Sequence, residues 1–183
     1  MNRAIIFDSS TLISFAMNGI LDILKDLKKS FNGNFYITTD VKKEVVDRPM
    51  AITRFKLEAL KIQHLLDEGV LEISKEELGP KTKEILEIAN NIFEGKGKEI
   101  KIVSSGEISC LALSKILSEK KILNVVAIDE RTTRMLVENP EKLEDFLERK
   151  MHIKITSEKN NFEIFKSLKI SFLRSYFCVH LPL

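Results

Sequence analysis

The sequence predicts an α/β fold, a three-layer α/β/α sandwich around a central, mainly parallel sheet. Short apolar runs at residues 4–7 and 124–128 lack the alternation of a half-exposed strand, which is typical of strands buried on both faces. Both runs end at an aspartate, and segments of helical periodicity separate the strands along the chain. This alternation predicts parallel strands joined by helical crossovers.

The first half of the chain contains clear start and stop signals. Ser9, Ser10 and Thr11 can cap a helix, and Gly19 can adopt the left-handed conformation that ends it. Thr39 or Asp40 can cap the helix that carries Glu44 and ends before Pro49. The expected elements are a strand at 4–7, helices at 9–18 and 20–29, a strand at 35–38, the helix before Pro49, a helix at 52–67 with Phe55, Ala59, Ile62 and Leu66 on its inner face, and a strand at 70–73.

In the second half, Pro80 and Pro140 are each suited to the first turn of a helix. Two glycines among lysines at 95–98 predict an exposed, basic turn without a packed element. The expected elements are helices at 80–94, 104–118, 132–138 and 140–150, strands at 124–128 and 153–155, and one more amphipathic helix at 162–170.

The predicted domain organisation is one compact domain at residues 1–157, followed by a C-terminal extension at 158–183. Residues 172–183 are apolar without a clear period, so we expect them to dock on the domain or to pair with a second subunit in a homodimer.

Composition sets limits on function. The 183 residues are 44% hydrophobic and 31% charged, with a formal net charge of +2, so any nucleic-acid surface must be a local basic patch. Cys110 and Cys178 fit neither a zinc spacing nor a disulfide framework. The N-terminal apolar run is too short for a signal peptide or a membrane span. We therefore expect a cytoplasmic protein without a membrane partner.

Four acids are the candidate site residues. Asp8 and Asp129 each follow a strand, and the carboxyl ends of parallel strands meet at one edge of a sheet. Glu44 and Glu107 lie in the first turns of helices that begin near the same edge. A shared carboxylate cluster is tolerated when a hard divalent cation binds among its oxygens. Without histidine or cysteine nearby, Mg2+ or Mn2+ is favoured over zinc.

Each acid also has a purely structural interpretation. Asp8 can be only a helix cap, and Glu44 can be a solvated residue beside lysines. Residues 104–107 have the sequence Ser-Ser-Gly-Glu, which matches a capping box with Glu107 as its last residue. Asp129 precedes Glu130 and an arginine, so it can be a cap or part of a local ion pair.

Four segments together resemble the PIN-domain nuclease family over about the first 140 residues, in the family's order. Residues 5–13 resemble its opening strand, first acid at Asp8 and following helix, and residues 38–45 resemble its second motif with Glu44. Residues 106–113 resemble the third motif, in the branch where a Gly-Glu pair holds the acid, and residues 125–134 resemble the fourth, with Asp129 and an arginine-bearing helix.

The resemblance implies a PIN-like fold that cleaves single-stranded RNA at a divalent-metal site, as a toxin with an antitoxin partner or as an RNA-processing enzyme. Its third acid, Glu107, is a glutamate where many members have aspartate, so its reach to the metal is direct or through water. The chain also continues past the core motifs.

Further residues near the predicted pocket are auxiliary candidates. Ser10 can hydrogen-bond Asp8 or the scissile phosphate, and Glu130 is a reserve ligand. Four cations are candidate contacts to RNA phosphates, although paired charges are more often a solvated face: Lys42, Lys43, Arg131 and Arg134.

Other enzyme classes fit less well. A phosphoaspartate enzyme of the haloacid-dehalogenase pattern needs an aspartate two residues after Asp8, where this chain has Ser10. Neither a P-loop nor a dinucleotide-binding glycine turn occurs. The remaining alternative is a catalytically inactive PIN-like module that binds RNA or a protein partner.

Overall fold

The computed structural model describes residues 3–174 and confirms the α/β prediction. Within these residues the strands are β1 (Arg3–Phe7), β2 (Asn34–Ile37), β3 (Glu72–Ile73), β4 (Phe93–Gly95), β5 (Lys98–Glu99), β6 (Leu123–Ala127), β7 (Ile155–Ser157) and β8 (Phe172–Leu173). Five of them form a parallel central sheet in the order β3-β2-β1-β6-β8. Strands β5, β4 and β7 form a small antiparallel sheet.

Helices flank the central sheet. They are α1 (Ser9–Met17), α2 (Ile23–Ser30), α3 (Thr39–Lys42), α4 (Arg48–Met50), α5 (Lys56–Asp67), α6 (Gly79–Asn90), α7 (Ser105–Glu119), α8 (Arg131–Glu138), α9 (Pro140–Met151) and α10 (Asn160–Ser167). A π-helical turn, Lys43–Asp47, joins α3 to α4, and a 3-10 turn, Thr53–Phe55, precedes α5. The predicted helix with Glu44 is therefore present, with a widened turn at the glutamate.

Two apolar cores hold the layers together, and α7 contributes to both. Cys110 and Leu113 of α7 pack in the first core with β1, β2, β6, α1 and α5. Ile108 and Leu111 of α7 pack in the second core with α6, α8, α9, α10 and the small sheet. Because opposite faces of α7 are buried, its N-terminal turn is held firmly at one edge of the central sheet.

The exposed turn predicted at residues 95–98 is present at Lys96 and Gly97, but the expectation that no packed element lies there is wrong. Gly95 is a buried residue of β4, which pairs with β5 in a hairpin, and only Lys96 and Gly97 form the turn with positive φ angles of 53° and 73°. A Cβ at Gly95 would lie 2.6 Å from the Ile153 side chain. Glycine at this position thus allows close packing, which the sequence alone did not indicate.

Several predicted boundaries are also wrong. The helix expected at 80–94 ends at Asn90, and the one expected at 52–67 begins at Lys56, which leaves Phe55 outside it and exposed. The late strand is Ile155–Ser157 and belongs to the small sheet, because its partner is β4. Tertiary pairing, which the local sequence does not encode, decides these ends.

Residues 158–174, which we assigned to a C-terminal extension, supply α10 and β8. Phe162 and Phe165 of α10 lie in the second core, and β8 pairs with β6 in the central sheet. The rest of the predicted apolar tail, residues 175–183, lies outside the described residues. No helix within residues 3–174 has the length and hydropathy needed to span a bilayer.

Alanine substitution in α10 measures how much the packing of this helix contributes to the free energy of unfolding. Phe165 is fully buried, so Phe165→Ala should lower the free energy of unfolding by about 3–5 kcal/mol, measured by urea denaturation. The neighbouring Ile164 is 38% exposed, so Ile164→Ala is the matched control, with an expected loss below about 1 kcal/mol. Equal small losses in both variants would mean that α10 does not belong to the cooperative fold.

Candidate functional site

The ends of β1 and β6 place Asp8 beside Asp129. The two strands are parallel neighbours with Phe7 aligned to Ala127, so the residue after each strand lies at the same edge of the sheet. The Asp8 amide donates to the Ala127 carbonyl at 2.9 Å, which continues the pairing by one residue. The predicted convergence of these two strand ends is therefore present.

Ser10 links the two strand ends directly. Its Oγ donates to Asp8 Oδ2 at 2.6 Å and accepts the Asp129 amide at 3.1 Å. The Ser10 amide also donates to Asp8 Oδ2, at 3.0 Å, so Asp8 caps α1 as the structural interpretation expected. One serine thus orients the Asp8 carboxylate and holds the backbone at Asp129.

The Asp8 carboxylate is buried with half of its hydrogen-bonding capacity unused. Its exposed fraction is 0%, and Oδ1 has no hydrogen-bond partner within residues 3–174. Burial raises the pKa of Asp8, the hydrogen bonds from the Ser10 side chain and amide oppose this rise, and the charge of Glu44 adds to it. A buried carboxylate oxygen without a donor is costly unless another group binds it.

Glu107 forms the capping box that the sequence predicted. Its Oε2 accepts the Ser104 amide at 3.2 Å, and its own amide donates to Ser104 Oγ at 3.3 Å. The same Oε2 also accepts from Thr133 Oγ1 of α8 at 2.6 Å. The second oxygen, Oε1, accepts no hydrogen bond from the described residues, so this carboxylate also keeps one oxygen available.

Burial and the neighbouring negative charges disfavour the ionised form of Glu107. Burial raises its pKa to about 7, and the charges of Asp8 and Glu130 act in the same direction. The hydrogen bonds from Thr133 and Ser104 oppose the shift without cancelling it. Asp8, Glu107 and Glu130 are therefore close enough for their charges to interact.

Glu44 approaches the same place from the π-helical turn between α3 and α4. A Cβ built at Gly106 would lie 2.6 Å from Glu44 Oε2 and 2.8 Å from its carboxyl carbon. The Glu44 carboxylate thus occupies the space that a side chain at position 106 would need. Gly106 is a functional candidate for which the only sequence signal was its place in the Gly-Glu pair of the resemblance.

A buried hydroxyl pair, which sequence reasoning missed, fixes α3 against α7. Ser109 Oγ donates to the Gly106 carbonyl at 2.7 Å, so Thr38 Oγ1 donates to Ser109 Oγ at 2.6 Å. Thr38 Oγ1 also accepts the Val41 amide, which makes Thr38 the N-cap of α3. These contacts set the position of the helix segment that carries Glu44.

Glu130 lies near Glu107 at the start of α8. Its side chain accepts the Thr133 amide at 2.9 Å, so Glu130, and not Asp129, is the N-cap of this helix. Thr133 thereby contacts both Glu130 and Glu107. The partial positive charge at the N-terminal ends of α1, α7 and α8 helps to offset the carboxylate charge.

The candidate phosphate-contacting cations have different surroundings. Lys42 and Lys43 pair with Asp47 and Asp40 of their own helical segment, in agreement with a solvated face. Arg131 lies over the Phe146 ring, with 4.6 Å from its guanidinium carbon to the ring centroid. Arg134 is buried, with an exposed fraction of 9%.

Cys110 is not a candidate nucleophile. Its thiol is buried below the acids, and burial, with the charges of the nearby carboxylates, raises its pKa well above the ordinary value of 9.0. Cys178 lies outside the described residues.

The donor set fits a hard divalent cation in chemistry but is not arranged around one. Within residues 3–174, no three Asp, Glu, His or Cys side chains form a group ready to hold a metal ion. Asp8 Oδ1 and Glu107 Oε1 nevertheless receive no hydrogen bond from the described part of the chain, while the opposite oxygen of each carboxylate accepts hydrogen bonds. Such oxygens are the ligands that Mg2+ and Mn2+ prefer.

Comparison with known proteins does not place this chain in a family. No protein-family model matches the chain, and no curated protein matches its sequence. The resemblance to PIN-domain nucleases therefore stays an expectation that depends on the four motifs.

Removing the Glu107 charge should change how stability depends on pH. Because the pKa of Glu107 is raised from 4.5 to about 7 in the folded state, its ionisation opposes folding. In EDTA, the contribution of Glu107 to stability should be fully present below pH 4.5 and be lost as the pH rises to about 7, so over this range Glu107→Gln should gain stability relative to wild type. Urea denaturation across this pH range measures the difference.

Glu119→Gln is the control, because Glu119 is exposed at the other end of α7 and should leave the pH profile unchanged. Glutamine can keep the capping box, so lost capping would not explain a changed profile in Glu107→Gln. Parallel profiles for wild type and Glu107→Gln would show that the Glu107 carboxylate is not strained.

Proposed function

We propose that this protein is a divalent-metal-dependent endoribonuclease that cleaves single-stranded RNA. The observation that carries the proposal is the fully buried Asp8 carboxylate, whose Oδ1 meets no donor from residues 3–174 and whose pKa is raised by burial and by Glu44. Buried polar groups usually have hydrogen-bond partners, so a buried carboxylate oxygen without one calls for a functional explanation. Raised carboxyl pKa values are also common at functional sites. The site joins the ends of two parallel strands, where ligands of open α/β sheets bind.

Four carboxylates would hold the cation, Mg2+ or Mn2+: Asp8, Glu44, Glu107 and Asp129. Ser10 orients Asp8 through Oδ2, and Thr133 orients Glu107 through Oε2, so the opposite oxygens are free to turn toward the cation. Glu130 is a reserve ligand and increases the negative charge beside Glu107. A bound divalent cation polarises a phosphate and lowers the pKa of an attacking water.

The proposed substrate is a single RNA strand whose phosphates meet cations around the acids. Lys42, Lys43, Arg131 and Arg134 remain the proposed contacts, of which the two lysines would have to exchange an aspartate for a phosphate. The biological setting we propose is a cytoplasmic homodimer that acts as a toxin with an antitoxin partner or as an RNA-processing enzyme.

A second candidate is an inactive RNA-binding or interaction module with the same fold. It is favoured by one observation, that the Glu107 carboxylate is already engaged by the capping box and by Thr133. In this alternative, the acids only cap helices. The two candidates differ in whether a cation binds.

Purified protein should cleave single-stranded RNA with Mg2+ or Mn2+, and EDTA should stop the reaction. Asp8→Asn should lower the cleavage rate by about 100-fold or more, since even the partners of metal ligands are worth about 10- to 100-fold. Asparagine can still cap α1, so the fold should persist. Gel analysis of labelled RNA measures the rate.

Asp67→Asn is the matched control, because Asp67 is exposed at the end of α5. Mg2+ should also raise the melting temperature of wild type more than that of Asp8→Asn, since a ligand stabilises only the state that binds it. Cleavage that persists in EDTA, or equal Mg2+ shifts in both proteins, would contradict the metal mechanism.

Gly106→Ala should disturb the proposed metal site without destabilising the fold. The new methyl group would displace the Glu44 carboxylate, which is the flexible end of a side chain, so the melting temperature should stay equal or rise slightly. The cleavage rate should fall by about 100-fold, since misplacement by about 1 Å is that costly. Gly79→Ala is the control, because a Cβ at Gly79, in the first turn of α6, meets nothing within 4 Å. Undiminished cleavage in Gly106→Ala would remove Glu44 from the site.

A further inference from the structure

Arg134 is a buried cation whose guanidinium is incompletely bonded. Its exposed fraction is 9%, and its Nε has no hydrogen-bond partner within residues 3–174. No carboxylate of the described residues lies within ion-pair distance of it. A buried guanidinium normally satisfies its donors with carboxylate, carbonyl or phosphate oxygens, so an unpaired one suggests a missing anionic ligand.

Strand β8 brings a second arginine to the same edge of the sheet. Leu173 is aligned with Ala127, and the Ile128 amide donates to the Leu173 carbonyl at 2.9 Å. Arg174 follows Leu173 and is exposed, next to the strand end that carries Asp129. Phe172 of β8 packs against the second core, which also contains Leu136 of α8. The second core thus connects β8 with α8, and Arg174 lies near enough for its charge to act on Arg134.

The charges of the two arginines act on each other. Burial lowers the pKa of Arg134, and the charge of Arg174 lowers it further, while Glu138, Asp129 and Glu130 act in the opposite direction. Two cations that repel each other at one edge are stabilised by an anion that both can bind. Arginine is suited to this role, because its planar donors match the oxygens of a phosphate.

We propose that Arg134 and Arg174 together bind one phosphate group of a nucleic-acid strand, at the same sheet edge as the acids. The site would hold a phosphate that is not cleaved and so keep the strand in register beside Asp8 and Asp129. This inference rests on the proposed single-stranded RNA substrate, but it concerns binding and not cleavage. Arg174 lies in the predicted C-terminal extension, where the four sequence motifs do not reach.

The experiment measures RNA binding without cleavage. Fluorescence anisotropy of a labelled single-stranded RNA oligonucleotide in EDTA gives the Kd of wild type, Arg134→Gln, Arg174→Gln and the double variant over a range of salt concentrations. Arg3→Gln is the matched control, because Arg3 is exposed at the opposite edge of the sheet. Circular dichroism melting checks that each variant is folded.

Each single substitution should weaken binding by about three- to tenfold, as expected for one charge-assisted contact. The slope of log Kd against log salt should fall by about 0.7 for a lost phosphate contact on a single strand. Arg3→Gln should change neither quantity. Because both arginines contact one phosphate, the double variant should weaken binding by less than the product of the two single effects.

If Arg134→Gln fails to fold, Arg174→Gln decides the matter, since its side chain is exposed. Unchanged affinity and salt slope in Arg174→Gln would overturn the proposal, as would an effect equal to that of Arg3→Gln. Inorganic phosphate that raises the melting temperature only when both arginines are present, without RNA binding, would also overturn it in favour of a free-anion site. Arginine-dependent RNA binding without Mg2+-dependent cleavage would refute the nuclease function and leave this site standing.

Discussion

The parallel pairing of β1 with β6 is the constraint on which the site depends. It brings together residues that are far apart in the chain, and the Asp8 amide extends it by bonding to the Ala127 carbonyl. Ser10 then connects the Asp8 carboxylate to the Asp129 backbone. Because one hydroxyl group serves both partners, a shift in strand register would separate the two acids as well as disturb the core.

In the carboxylates at this edge, one oxygen stabilises a helix end and the other is available for the proposed metal binding. Asp8 and Glu107 each cap a helix with one oxygen and leave the other without a donor in the described residues. A structural interpretation and a functional one therefore do not exclude each other. The raised pKa values of Asp8 and Glu107 show that burial of these groups opposes folding at neutral pH, which is a common property of functional sites.

The last described residues belong to the same edge as the acids. Strand β8 completes the central sheet beside β6, and α10 fills the second core. As a result, Arg174 comes next to α8, where Arg134 lies buried. The second core thus also helps to place Arg174 at the strand end that carries Asp129.

The sequence by itself determined the α/β class, most helix and strand positions, the capping box at Glu107 and the convergence of Asp8 with Asp129. These follow from local periodicity, cap chemistry and the rule that parallel strands share a carboxyl edge. Only the tertiary structure decided that β7 joins the small sheet, that Gly95 is packed, that Glu44 lies against Gly106, and that β8 delivers Arg174. Each of these depends on contacts between residues distant in the chain, whose geometry no local pattern contains.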